Sequence, residues 1–432
     1  MRTYLEALDY LSQFINYERA QPQRYAPETL SLDRVNHLLD RLGRPDRAYR
    51  AIHIAGTKGK GSTAAMIESC LRATGYRTGF YTSPHLHTFR ERMRVNNEFI
   101  AREQFALLVD EIEPHVAAVE GLTWFEIVTA LAFLFFARSQ IDVTVLEVGL
   151  GGRFDATNVV TPIVSVITSL SMDHMNLLGN SIEQIAFEKA GIIKRHVPVV
   201  SAPQVPAAAD VIRRVARMRG AELIVAPHPP TPSPEIEPLR MISGEGVRLP
   251  LLGAHQLVNA SVAVTALRIA RQRGLFISDD AIQCGLATVQ WPGRLEVLSR
   301  EPLLIVDGAH NGDSAQKLAQ ALRDVFQVEK WTLIIGISAD KDIPAILAAL
   351  LPLAEKVIVT RASNQRAANI DTLEARVADQ GYTPTLAASV ADALEITLQD
   401  HRPVIITGSL FTVADAREAW FRRNGIPFEK DE

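Results

Sequence analysis

The sequence predicts an α/β fold in two domains, and three observations carry that reading. From about residue 50, short apolar runs alternate with stretches of helical period. A glycine-rich turn separates the first such run from the first such helix. A second alternating block opens near Leu303, past the turn Trp291, Pro292 and Gly293. Alternation of this kind builds a mostly parallel sheet with crossover helices. The 432 residues suffice for two or three domains with their own cores. With the hinge at the tryptophan turn, residues 1–295 form an N-terminal P-loop-type domain with a mostly parallel sheet, and residues 296–432 a smaller C-terminal Rossmann-like α/β domain.

The first block contains candidate strands Ala51–Ala55, Thr78–Thr82, Val143–Val148, Ile163–Thr168 and Val197–Ser201. Candidate helices are Lys60–Thr74, stopped by Gly75, then Arg102–Val119, Thr123–Arg138 and Ile182–Lys194. Pro227 to Pro238 is proline-rich and reads as an exposed loop. A long helix is expected from His255 to Arg273, ending at Gly274. In the second block the expected strands are Leu303–Val306, Trp331–Ile337, Lys356–Thr360 and Pro403–Thr407.

Bulk properties exclude several function classes. The formal net charge is −4, so no global basic field calls for nucleic acid or an anionic membrane. Two cysteines, Cys70 and Cys284, cannot make a disulfide framework or a thiolate metal site; both are expected as buried structural thiols. The N-terminal MRTYLEALDYLSQF is amphipathic and acidic, unlike a signal peptide. The most apolar run, Ile127 to Ala137, is far short of the roughly 20 residues of a spanning helix. Thr123 lies three residues before Glu126, which is capping-box spacing, so this run is expected as a buried helix. A reducing cytoplasm fits these features.

The segment AIHIAGTKGKGSTAAMIESCL reads strand, glycine loop, helix. Gly56, Gly59 and Gly61 let backbone amides approach phosphate oxygens, and the helix adds its positive N-terminus. Lys60 supplies a point charge for β- and γ-phosphates, and Ser62 or Thr63 a hydroxyl. A glycine separates the lysine from the hydroxyl residue, unlike the common G-x-x-x-x-G-K-[ST] form.

Four further residues are candidates for the surroundings of a transferred phosphate. Ser83 follows the strand Thr78–Thr82, Glu147 ends VTVLEVG, and His174 lies beyond Ile163–Thr168, so all three fall at the carboxyl edge of one sheet. A serine, a glutamate and one imidazole can serve Mg²⁺, which prefers oxygen donors. Lys189 sits among Ile185, Ala186, Ile192 and Ile193, a partly buried face on which a neutral amine becomes chemically available.

In this order, GTKGKGS, SPHL with ERMRV, LTWFE, EVGLGGRFDATN, DHMNLLG, EKAGI, LLGAHQLVNA, WPGRLE and DGAHN resemble the folylpolyglutamate synthase/dihydrofolate synthase family of the Mur ligase superfamily. The motifs span roughly residues 30 to 412. One departure is Lys58, where the family commonly has asparagine. The resemblance implies that Gly59, Lys60, Gly61 and Ser62 bind ATP phosphates, and that Asn259, Arg294 and Asp307 hold the nucleotide from the long helix, the hinge and the second domain. It implies Ser83, Glu147 and His174 as magnesium ligands for one or two Mg²⁺ ions, with K⁺ as a further candidate. Lys189 matches the lysine carbamylated by CO₂. Thr123, Trp124, Phe125 and Glu126, with Phe154, Asp155 and Ala156, resemble the pterin side of the pocket. His310 matches a residue near the site.

The implied reaction is phosphorylation of a substrate carboxylate by ATP, then attack of the α-amine of L-glutamate on the acyl phosphate. Lys60, Lys189, His174 and Glu147 are its expected catalytic residues. GGRFDATN is similar to members acting on 7,8-dihydropteroate as well as on the glutamate tail of folates, so both activities are expected, with tail extension alone as the alternative. A monomer working on small molecules, without nucleic acid or membrane, completes the expectation. A muropeptide ligase would need a further domain for its UDP-sugar, and only about fifty residues precede the loop. A guanine-selecting N-K-x-D signal for a nucleotide switch is not apparent.

Overall fold

The computed structural model describes residues 2–18, 31–173, 175–229, 233–235, 240–242, 248–398, 400 and 402–431. These form two compact units: Met1–Pro229 with Val258–Val289 and Asp431–Glu432, and Pro230–Leu257 with Gln290–Lys430.

The first unit is built on an eight-stranded sheet. Its strands are β1 (Arg50–Ala55), β2 (Thr78–Tyr81), β3 (Met93–Val95), β4 (Glu98–Phe99), β5 (Val143–Glu147), β6 (Val164–Ile167), β7 (Val199–Ser201) and β8 (Leu223–Val225). They lie in the order β4-β3-β2-β5-β1-β6-β7-β8. Pairing is parallel from β2 through β8, and antiparallel only for β2–β3 and β3–β4. β1 is flanked on both sides, and five of its six residues are buried, as a central parallel strand requires. Among those five the exception to apolarity is His53. The carboxyl ends of β2, β5, β1 and β6 therefore sit side by side.

Helix Trp124–Arg138 is buried along most of its length, and Phe133 and Phe136 in it are fully buried. Each contributes roughly 1.5–3 kcal/mol by leaving water. Its expected capping box forms: Glu126 N–H donates to Thr123 Oγ1 (3.3 Å) and Thr123 N–H to Glu126 Oε2 (2.7 Å). The helix expected over Ile182–Lys194 stops at Ala190. Loop groups take its last carbonyls, since Arg153 N–H donates to Glu188 O (2.9 Å) and Asn158 Nδ2 to Gly191 O (3.2 Å). Helix Arg102–Val116 likewise ends short of Val119. Cys70 is buried as expected, but Cys284 is exposed. On helix Asp279–Thr288, Ile282 and Gly285 are the positions turned onto Cys70, and Cys284 falls off that face. No helix among the described residues is long and apolar enough to cross a membrane.

The second unit carries a small antiparallel sheet and a six-stranded one. The small sheet consists of β9 (Ser233–Glu235), β10 (Arg240–Ile242) and β11 (Arg248–Leu249) in the order β11-β10-β9. Part of the expected loop Pro227–Pro238 is thus strand; residues 230–232 and 236–239 lie outside the described residues. Pro234 is tolerated because β9 is an edge strand.

The six-stranded sheet comprises β12 (Glu296–Arg300), β13 (Leu303–Val306), β14 (Trp331–Ile335), β15 (Ala354–Val359), β16 (Thr385–Leu386) and β17 (Val404–Thr407). Their order is β12-β13-β17-β14-β15-β16, parallel except for β12 on β13.

Candidate active site

The glycine loop leaves β1 at Gly56 and enters helix Lys60–Ala73. Its amides dock on the end of β6: Thr57 N–H and Lys58 N–H both donate to Ser169 O (3.1 and 3.0 Å). The approach is so close that a Cβ at Gly56 would stand 1.8 Å from Thr168 Oγ1. Gly59 caps the helix at φ +81°, and a Cβ there would stand 2.1 Å from Asn259 Oδ1. Asn259 is buried on helix Ala254–Gln272, so the loop and this expected nucleotide residue are in contact within the first unit. Lys60 and Gly61 open the helix at its positive end, and Ser62 beside them is buried. Lys58 forms an ion pair with Asp173 (Nζ–Oδ2 3.7 Å).

Ser83 and Glu147 meet at the same edge. Ser83 N–H donates to Glu147 Oε2 at 3.3 Å. Hard oxygens on adjacent strand ends suit a divalent cation such as Mg²⁺. His174, the third expected ligand, lies outside the described residues. Among the described residues no group of three His, Cys, Asp or Glu side chains could hold a metal ion.

Lys189 is buried, 5% exposed, near the end of helix Ile182–Ala190. Burial pushes its ammonium down to about 7; Lys60 and Lys58 push the same way, and Asp173 and Asp155 oppose them. The glycine-loop lysines and Lys189 therefore share one electrostatic neighbourhood. Near neutrality an amine with this value is about half unprotonated, and that fraction is available as a nucleophile.

The loop after β5 locks onto the Lys189 helix. Arg153 clamps Glu188 through two hydrogen bonds, Nε to Oε2 (3.0 Å) and Nη2 to Oε1 (2.6 Å). Its guanidinium also lies 4.3 Å from the Phe154 ring centroid. Asp155 is buried, and each of its oxygens accepts from the backbone: Oδ2 from Gly149 N–H (3.0 Å) and Leu150 N–H (2.9 Å), Oδ1 from Thr157 N–H (3.0 Å). Burial pushes its pKa up, and these donors pull it back.

Most of the expected pterin-side residues have structural duties here. Thr123 and Glu126 cap each other, and Arg34 Nε adds a bond to Glu126 Oε1 (3.2 Å). Trp124 is buried beneath Arg92, whose guanidinium carbon lies 4.9 Å from its ring centroid. Ala156 is buried. Phe125 and Phe154 alone of the seven keep partial exposure, and Phe125 lies against Gly149.

In the second unit, Asp307 directly follows β13 and fixes its surroundings by accepting from Leu295 N–H (2.8 Å) and Ala309 N–H (2.9 Å). Burial pushes its pKa up while Arg294 counters. Arg294 Nη1 packs onto Gly308, where a Cβ would stand 2.4 Å away. His310 Nδ1 is 2.8 Å from Gly308 O. His255, given no site role by the sequence beyond its place in LLGAHQLVNA at the start of the long helix, joins this group: burial, then Lys317 and Arg294, push its imidazole down to about 4. The Arg153–Glu188 pair, the Lys58–Asp173 pair and the buried His53 are likewise visible only in three dimensions.

A glycine loop, a buried lysine and paired oxygen donors on one sheet edge define a phosphoryl-transfer ligase site of the Mur type. The Mur ligase middle domain matches residues 54–218, and the Mur ligase glutamate ligase domain matches residues 293–410. The dihydrofolate synthase/folylpolyglutamate synthase of Bacillus subtilis is 37% identical over 90% of this chain and 94% of its own. That of Mycobacterium tuberculosis is 35% identical over 96% and 95%. The crystal structure of Mycobacterium tuberculosis folylpolyglutamate synthase complexed with ADP and AMPPCP superposes with a TM-score of 0.87, at 33% identity, over 96% of this chain and 98% of that one. The Thermotoga maritima folylpolyglutamate synthase gives 0.81 at 36%, over 98% and 97%. This chain belongs to the dihydrofolate synthase/folylpolyglutamate synthase family, and is an ATP-dependent ligase that forms C–N bonds.

Proposed function

We propose that this enzyme ligates L-glutamate both to 7,8-dihydropteroate and to the glutamate tail of folates, giving ADP and phosphate. The observation that supports the ligase chemistry is the glycine loop, where Gly59 turns left-handed against Asn259 and opens helix Lys60–Ala73. The dihydropteroate activity is supported by relatives from Bacillus subtilis, Mycobacterium tuberculosis and Escherichia coli that bear both names, and by the form GGRFDATN.

Gly59, Lys60, Gly61 and Ser62 hold the triphosphate, with Asn259 beside the loop and Arg294 and Asp307 as further nucleotide residues. Lys60 balances the charge that spreads over the γ-phosphoryl oxygens as the substrate carboxylate attacks in line. Oxide is a poor leaving group and phosphate a good one, so the acyl phosphate accepts the glutamate amine. Ser83, Glu147 and His174 would hold Mg²⁺, which when bound would add positive charge at the phosphates. Lys189 takes up CO₂ as a carbamate, turning its amine into an oxygen donor. Phe125 and Phe154 offer their accessible ring surface to the pterin; Thr123, Trp124, Glu126, Asp155 and Ala156 shape the backbone behind them. We place the functional domains at 1–295 and 296–432, and the enzyme as a cytoplasmic monomer acting on small molecules.

Purified enzyme given ATP and L-glutamate is expected to convert 7,8-dihydropteroate and to lengthen tetrahydrofolate. Extension of tetrahydrofolate with dihydropteroate untouched would remove the first activity. Failure with both would remove the proposal.

A further inference from the structure

β1 is a central strand whose inner residues are apolar except one. His53 is completely buried, and a parallel-sheet interior ordinarily takes an aliphatic side chain there. Its Nε2 lies 2.8 Å from Thr157 Oγ1. Thr157 in turn donates both its hydroxyl and its backbone N–H to Asp155 Oδ1. Asp155 Oδ2 holds the amides of Gly149 and Leu150.

The direction of every bond in this chain is fixed by chemistry. A carboxylate only accepts, so the single hydroxyl proton of Thr157 goes to Asp155. The Thr157 oxygen then accepts, and His53 must donate from Nε2. That leaves Nδ1 as a bare lone pair, buried without a hydrogen-bond partner among the described residues. Burial, reinforced by Lys194, holds the imidazole neutral, with its pKa down to about 3. A polar group with one unsatisfied end inside the sheet costs stability relative to an apolar residue of the same shape. Such a cost, next to a loop lining the site, marks a group kept for what it positions.

We propose that His53 is a positioning residue that, through Thr157 and Asp155, sets the loop 149–155 and so the pteridine-facing surface of Phe125 and Phe154. It does not touch substrate. The consequence for binding rests on the reading of Phe125 and Phe154 given under the proposed function; the loop-setting itself does not. Phe125 rests on Gly149 and Phe154 precedes Asp155, so slack at Asp155 moves the supports of both rings.

The test uses Thr157→Val, which replaces the hydroxyl with a methyl group of similar size. The KM for dihydropteroate is expected to rise roughly five- to tenfold, the equivalent of one net hydrogen bond, with the KM for ATP within about twofold of wild type. Thr157→Ser restores wild-type behaviour. His53→Leu behaves like Thr157→Val, and His53→Gln, whose Nε2 can still donate, is milder. Damage to the fold in general would raise both KM values together, and that outcome overturns the proposal. Hydrogen exchange supplies a readout independent of substrate: the Gly149 and Leu150 amides exchange faster in Thr157→Val. Unchanged exchange overturns the proposal whatever the kinetics. Should wild type ignore pteridines altogether, the functional reading falls, while the exchange result still decides whether His53 sets the loop.

Discussion

Arg153 grips Glu188 with two hydrogen bonds, of 3.0 and 2.6 Å, one residue before the buried Lys189. The same arginine donates its backbone N–H to Glu188 O, so one residue of the glycine loop after β5 fixes both the side chain and the backbone beside Lys189. Truncating its side chain releases the Glu188 carboxylate and leaves only the backbone bond at the helix end beside Lys189.

Arg153→Ala is therefore expected to cost about 1–2 kcal/mol of stability, limited by the partial exposure of the pair. It should lower kcat roughly tenfold or more. Arg153→Lys recovers little, because one ammonium cannot make the paired contact. Thermal denaturation and steady-state ADP release check both statements; a fully active Arg153→Ala enzyme would show that Glu188 needs no partner.

Lys189 gives a pH dependence with a definite sign. Carbamylation consumes the neutral amine, whose fraction rises as pH passes upward through about 7. Enzyme stripped of CO₂ is expected to regain activity, at one fixed concentration of dissolved CO₂, faster at pH about 8 than at pH about 6. Equal recovery at both values contradicts the assignment. Before carbamylation there is also a stability effect. The unfolded lysine keeps its ordinary value near 10.5, so between about 7 and 10.5 the unfolded chain binds more protons and stability rises with pH. Below about 7 the cost of the buried ammonium is present in full. Lys189→Met removes this cost and is expected to raise the neutral-pH Tm of CO₂-free protein while abolishing turnover.

Lys60→Ala leaves the helix intact and deletes the charge proposed above to balance the transferred phosphoryl group. Glutamate-dependent ADP release should fall roughly 100-fold or more, with circular dichroism unchanged. Wild-type rates in this variant would sink the ligase assignment.

Gly59→Ala tests the nucleotide loop. The residue sits at φ +81°, which costs an L side chain about 1–2 kcal/mol, and the new Cβ must displace Asn259. Affinity for a non-hydrolysable ATP analogue, measured by calorimetry, is expected to fall at least about tenfold.

Gly285→Ala tests the packing behind that loop. A Cβ there would stand 2.4 Å from Cys70 Cα, so helix Asp279–Thr288 must move off helix Lys60–Ala73. A loss of about 1–3 kcal/mol, seen as a drop of several degrees in Tm, is expected, with the remaining activity showing an unaltered KM for glutamate.

By itself the sequence determined the alternation of strands and helices, the glycine loop between β1 and its helix, and the sheet edge shared by Ser83 and Glu147. These rest on period, turn chemistry and strand direction, all of which act over a few residues. Its motifs also identified the family. It did not reveal that the Lys189 helix stops at Ala190, because the groups that terminate it come from Arg153 and Asn158, more than thirty residues away. Nor did it show that Cys284 faces outward, that five of the seven pterin-side residues are buried, or that His53 is tied to Asp155. Burial, ion pairing and hydrogen-bond direction arise between residues far apart in the chain. Only the tertiary structure could decide them, and with them the burial that pushes the Lys189 ammonium down to about 7.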